Sequence, residues 1–89
     1  MINIRFFGSS GCLDCLEALN LMRESGLEFR YIDALNPSDK IQEYCDVHNV
    51  NDLPHIQFME EEKVVFEHIG EVNNSLINLI TYCKTVNTI

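Results

Sequence analysis

Ser9-Ser10-Gly11-Cys12-Leu13-Asp14-Cys15 joins an apolar N-terminal run to an amphipathic segment, and the reading of this junction decides the fold. Upstream, Ile2, Ile4, Phe6 and Phe7 fit a short buried strand over residues 2 to 7, broken by the Gly/Ser cluster from Gly8 to Gly11. Downstream, Cys12, Cys15, Leu16, Leu19 and Met22 recur at i, i+3, i+4, i+7 and i+10. That spacing predicts a helix over about 12 to 25, which Gly26 can end in the left-handed conformation. The two cysteines therefore fall at a helix N-terminus. Unpaired backbone N–H groups and the positive end of the helix dipole favour a thiolate there, so Cys12 is expected to be the more reactive sulfur. Cys15, one turn further in, is expected to be the more buried.

Outward from this junction the pattern continues to alternate between strand and helix. Leu27 to Asp33 is rich in β-formers and predicts a second strand. Asn36-Pro37 predicts the start of a second helix over about 37 to 48, with Asn36 as N-cap and Pro37 at the first helical position. Its apolar stripe would be Ile41, Tyr44, Cys45 and His48. Val50-Asn51-Asp52-Leu53-Pro54 is a polar connection, and Pro54 can only begin the strand His55 to Met59 or lie just outside it. Glu60 to Glu62 reads as a solvated hairpin tip and Lys63 to Glu67 as the returning strand, although the turn lacks an Asn-Gly or Asp-Gly signal. After Gly70, the positions Val72, Leu76, Leu79, Ile80 and Cys83 predict a final helix over 72 to 86. The expected architecture is α/β, in the order β-α-β-α-β-β-α, with a central mixed four-stranded sheet flanked by helices.

The length of 89 residues predicts a single domain, 1–89. Six Lys and Arg against fourteen Asp and Glu give a net charge of −8, which argues against nucleic acid and anionic membranes as partners, because both need a basic face. No apolar run approaches the roughly 18 residues of a membrane span, and the N-terminus has no signal-peptide pattern, so a cytoplasmic location is expected. Four cysteines in that setting point to redox or metal chemistry more than to a structural disulfide framework.

Three features together resemble the thioredoxin/glutaredoxin superfamily over nearly the whole chain. They are Cys12-Leu13-Asp14-Cys15 after the first strand, the segment Val50 to Pro54, and the strand, turn, strand and glycine from Phe58 to Gly70. The length is glutaredoxin-like, whereas the long hairpin and its exit at Ile69-Gly70 are similar to thioredoxin. The resemblance implies a thiol-disulfide oxidoreductase in which Cys12 attacks a substrate disulfide and Cys15 resolves the mixed disulfide. It also implies a cis bond before Pro54, with Leu53 and Pro54 presenting backbone to an extended substrate by strand addition. Partners would be protein disulfides and a reductase or low-molecular-weight thiol, and no cofactor or metal is implied.

The chain also departs from the family pattern. Leu13 and Asp14 stand where thioredoxins have Gly-Pro, no tryptophan precedes Cys12, and Phe6 stands where thioredoxins place a buried carboxylate. Asp14 beside the thiols opposes thiolate formation. The Lys and Gly-Gly-Asp elements of a glutathione site are replaced by Gly8-Ser9-Ser10-Gly11 and Gly70-Glu71-Val72-Asn73.

Other chemistry-bearing residues have plainer readings. Cys45 and Cys83 are expected in the core as small hydrophobes, His48 buried or at the core boundary, and His55 partly exposed on its strand. Tyr31, Tyr44, Phe29 and Phe66 are read as core or core-edge aromatics, and His68 marks only a strand end. Two other functions use the same residues: a soft-metal site, with Cu(I) on the two thiolates or zinc shared with His48 or His55, and a thioredoxin-fold binding module whose dithiol is incidental.

Overall fold

The computed structural model describes residues 1–87. The elements are β1 (Asn3–Gly8), α1 (Leu13–Ser25), β2 (Arg30–Asp33), α2 (Asp39–Val47), β3 (His55–Glu60), β4 (Lys63–Ile69) and α3 (Asn74–Asn87). Their order is the expected one. The sheet order is β2-β1-β3-β4. β1 and β2 are parallel, which requires a crossover that α1 supplies, while β1–β3 and β3–β4 are antiparallel. The sheet is therefore mixed, with β1 and β3 at its centre.

Alternation along the central strands sorts the side chains onto two faces. Ile2, Ile4 and Phe6 join Ile56 and Phe58 beneath α1 and α3, where Ala18, Met22, Leu76, Ile80 and Cys83 complete the larger core. Phe7 and Ile32 face the other way and meet Cys45 of α2, with Ile41, Tyr44, Val50 and Leu53 around them. Because both faces are covered, five consecutive residues of β3, His55 to Met59, are buried.

Several boundaries differ from those the sequence predicts. β2 begins only at Arg30; Leu27 and Phe29 instead lie in the approach to it and pack on the larger core. α2 begins later than Asn36-Pro37 suggests, because Ser38 takes the extended N-cap conformation and its hydroxyl oxygen accepts the Ile41 N–H at 3.3 Å. α3 likewise begins past Val72, where Asn73 Oδ1 accepts the Leu76 N–H at 3.1 Å. At its other end Asn87 accepts from Ile2 N–H at 2.7 Å and donates to the Ile2 carbonyl at 2.9 Å, clamping α3 to the start of β1. The buried face of α1 is Cys15, Ala18 and Met22, and Leu16 is turned outward. Gly26 ends α1 at φ 77°, as expected. The β3–β4 turn places Glu61 and Glu62 at φ 50° and 69°, so positive φ at both central residues is met without glycine.

Candidate active site

Cys12 caps α1 with its own side chain. Its backbone is extended, φ −101° and ψ 113°, and its Sγ accepts the Cys15 N–H at 3.1 Å. A sulfur thus occupies the position usually filled by a Ser, Thr, Asp or Asn oxygen. The Cys12 N–H donates to the Ser9 carbonyl at 3.4 Å, and the Cys12 carbonyl accepts the first helical N–H, from Leu16, at 3.1 Å. Negative charge on this sulfur would meet a directed donor and the positive end of the helix.

A distant stretch of chain closes the other side. The Leu53 carbonyl lies 3.9 Å from Cys12 Sγ, and the Leu53–Pro54 bond is cis. Pro54 is buried, and its carbonyl accepts the Gly70 N–H at 2.9 Å, which ties the turn to the end of β4. The structure therefore brings together Cys12, Cys15 and Leu53, with Pro54 behind them.

The two sulfurs differ in environment in the direction expected. Cys15 is 2% exposed, whereas Cys12 is half-buried. Burial is the main reason the Cys15 thiol is pushed up from 9.0 to about 11, with the hydrogen bond to Cys12 and the charges of Cys12 and Asp14 adding to it. A backbone hydrogen bond at Ser9 acts in the opposite sense. All four cysteines are free. Beside the pair two apolar side chains are exposed, Leu13 82% and Leu16 45%, next to the exposed carboxylates of Asp14 and Glu17.

Tyr31 is a core-edge aromatic, within the reading of the sequence, and it also feels the charge of the two thiols. Its ring stacks on Phe6 at 5.7 Å, yet the residue is 41% exposed. Its hydroxyl is pushed up from 10.0, first by burial, then by the charge of Asp33 and those of Cys15 and Cys12. The sequence signal was the parallel pairing of Phe6 with Tyr31, which becomes visible only once the register is known.

His55 and His48 depart from expectation, whereas His68 stands at the end of β4 as expected. His55 is buried, 1% exposed, because β3 is central and covered on both faces. Its Nε2 lies 3.3 Å from Glu67 Oε2, but neither ring nitrogen has a partner in hydrogen-bond alignment. His48 is exposed at the C-cap of α2 and stacks on Tyr44 at 4.1 Å. His68 is buried, its Nε2 at 2.8 Å from the Glu71 carbonyl and 3.2 Å from that of Gly70. Two carbonyl neighbours make Nε2 the protonated nitrogen. Cys45 and Cys83 are core residues, as expected, and burial pushes both thiols up. Neither His48 nor His55 joins the cysteines: His55 lies on the sheet face away from α1, beside Phe7. Among the described residues no three His, Cys, Asp or Glu side chains converge into a set that could hold a metal ion. No helix among them is long and apolar enough to cross a membrane.

The sequence matches no known family model and no curated protein sequence. Solved structures do match in fold. The oxidised thioredoxin of Plasmodium falciparum superposes with a TM-score of 0.72 at 19% identity, over 91% of this chain and 79% of that one. Thioredoxin 1 of Thermosipho africanus gives 0.69 at 15% identity, over 96% and 98%. Fasciola hepatica thioredoxin gives 0.67 at 22% identity, over 91% and 79%. The chain therefore has the thioredoxin fold, with its Cys pair at the first strand-to-helix junction.

Proposed function

We propose that this thioredoxin-folded chain is a dithiol-disulfide oxidoreductase acting on protein disulfides. The observation that carries the reading is Cys12 Sγ at the N-cap, receiving the Cys15 N–H and lying against the Leu53 carbonyl. Cys12 thiolate attacks one sulfur of a substrate disulfide, the substrate S–S bond breaks, and one substrate thiolate leaves. Cys15 thiolate then attacks Cys12 Sγ, the mixed disulfide breaks, and the second substrate thiolate leaves. Two electrons and two protons pass to the substrate, and the Cys12–Cys15 disulfide remains. A reductase or low-molecular-weight thiol in a reducing, cytoplasmic setting would restore the dithiol. The exposed Leu13 and Leu16 give an apolar rest for the substrate, and the Leu53 backbone offers strand-addition contacts beside Cys12.

Burial disfavours the Cys15 thiolate that the second step needs. In the dithiol the Cys15 thiol lies at about 11, and no carboxylate stands at Phe6 to accept its proton. In the mixed disulfide the Cys12 hydrogen bond and charge are gone while burial remains, so resolution should accelerate as pH rises above 7 and level below the value of the free dithiol.

The test is a redox titration in dithiothreitol buffers with thiol trapping and mass mapping, followed by stopped-flow reduction of a model disulfide across pH. The expected result is a reversible Cys12–Cys15 disulfide with a midpoint between about −120 and −270 mV. Cys15→Ser should accumulate a one-to-one mixed disulfide at Cys12, and Cys12→Ser should accumulate none. A pair that never closes while the fold stays intact overturns the reading, as does turnover that survives Cys12→Ser. In that event copurified Cu or Zn separates the metal site from the plain binding module.

A further inference from the structure

The α2 side of the sheet holds a charge arrangement that the fold itself does not require. Arg5 and Arg30 are register partners on the parallel β1–β2 pair, on the same face as Phe7 and Ile32. Like charges set opposite one another on a sheet are destabilising unless something lies between them. Lys40 approaches from the first turn of α2, and all three cations line one cleft of about 330 Å³ together with Ser38, Phe7, Ile32, Ile41 and Tyr44. In a chain with fourteen acidic residues, half of the six Lys and Arg converge here, and no acidic residue is in the lining. Among the described residues none of the three has a carboxylate within ion-pair distance, since the ion pair found is His55 with Glu67.

The cleft is also organised. Arg5 is held over the Tyr44 ring at 5.1 Å, and the Tyr44 hydroxyl in turn donates to Gln57 Oε1 at 2.6 Å. Gln57 is buried beside Arg5 in the β1–β3 register, and its Nε2 has no protein partner. Ser38 is the N-cap of α2, so the positive end of that helix lies in the wall. Its Oγ accepts the Ile41 N–H, which leaves the hydroxyl proton to donate. Phe7, Ile32, Ile41 and the Tyr44 ring supply apolar walls, the mixture typical of small-molecule sites.

We infer that this cleft binds a small organic anion, with a phosphate or polycarboxylate group held by Arg5, Arg30, Lys40 and the Ser38 hydroxyl and its body resting against Ile41 and Tyr44. Guanidinium and ammonium donors are the groups that bind such anions most strongly. The site lies on the sheet face away from α1, so it stands whether or not the Cys pair is redox-active.

The test is a titration of the ¹⁵N-labelled chain, at near-physiological salt, with adenosine monophosphate and separately with citrate, each to about 10 mM, a limit that still detects weak millimolar sites. The expected result is saturable amide shifts confined to Arg5, Arg30, Ile32, Ser38 to Ile41 and Tyr44. Saturation by the nucleotide alone assigns a phosphate ligand, and by citrate alone a carboxylate one. Arg30 and Lys40 are exposed, so Arg30→Gln with Lys40→Gln should keep the native spectrum and weaken binding at least about tenfold. Lys63→Gln, at the hairpin, should change it less than about twofold. Adenosine, without the phosphate, should not saturate. The inference is overturned if neither anion saturates, if the double variant titrates like the native chain, or if Lys63→Gln weakens binding equally.

Discussion

The two faces of the sheet are built on different principles. Under α1 and α3 the contacts are almost wholly apolar: Ile2, Ile4, Phe6, Ile56 and Phe58 meet Ala18, Met22, Leu76, Ile80 and Cys83. Under α2 the buried apolar cluster is only Phe7, Ile32 and Cys45, and the same face holds buried His55 and Gln57 beside Arg5 and Tyr44. The first face fixes the helix that presents the thiols. The second gives up apolar contact for polar groups, three of them cationic, and keeps an open cleft. Stability and ligand-binding capacity are thus divided between opposite sides of one four-stranded sheet.

Substitutions can break or sharpen that contrast. Phe58 is fully buried in the denser face, and Phe58→Ala should cost about 3–5 kcal/mol of unfolding free energy, read from urea denaturation. A loss below about 2 kcal/mol would mean that the α1/α3 face is not the principal core. On the opposite face Tyr44→Phe removes the donor to Gln57 Oε1 and should cost about 1–2 kcal/mol, because the amide is left buried without it. Adding Gln57→Leu should recover most of that loss, so the double-mutant cycle measures how far the polar pair is a specific feature of this face. His55→Phe should have the smallest effect, within about 1 kcal/mol of the native chain. It replaces a buried ring whose nitrogens lack aligned partners by an apolar ring of similar shape. A loss of several kcal/mol would instead show that the 3.3 Å contact with Glu67 is a strong buried interaction.

Much of this was legible in the chain because it rests on local rules. The Cys12–Cys15 spacing, the Gly/Ser break and Gly26 fix a strand-to-helix junction whose end is set by backbone sterics alone. The apolar positions Ile2, Ile4, Phe6 and Phe7 identify β1 as buried, and those from Leu76 to Cys83 give α3 its inner face. Helix starts were less legible. Asn36-Pro37 and Ser38 are both competent beginnings, and the hydrogen bond from Ile41 N–H to Ser38 Oγ selects the later one. The burial of His55 followed from neighbours far away in sequence. Alternation alone suggests partial exposure, but a central strand covered on both faces buries the five successive side chains from His55 to Met59.

The sequence by itself determined the order of elements, the placement of Cys12 and Cys15 at a helix start, and the acidic balance of the chain, because periodicity, glycine conformational freedom and charge are properties of residues and their near neighbours. Only the tertiary structure decided the company those residues keep. The Leu53 carbonyl comes to 3.9 Å from Cys12 Sγ, Tyr31 stacks on Phe6 through strand register, and Arg5, Arg30 and Lys40 line one cleft. Register and packing are cooperative outcomes of closing a sheet between helices, so no local pattern in the chain could have specified them.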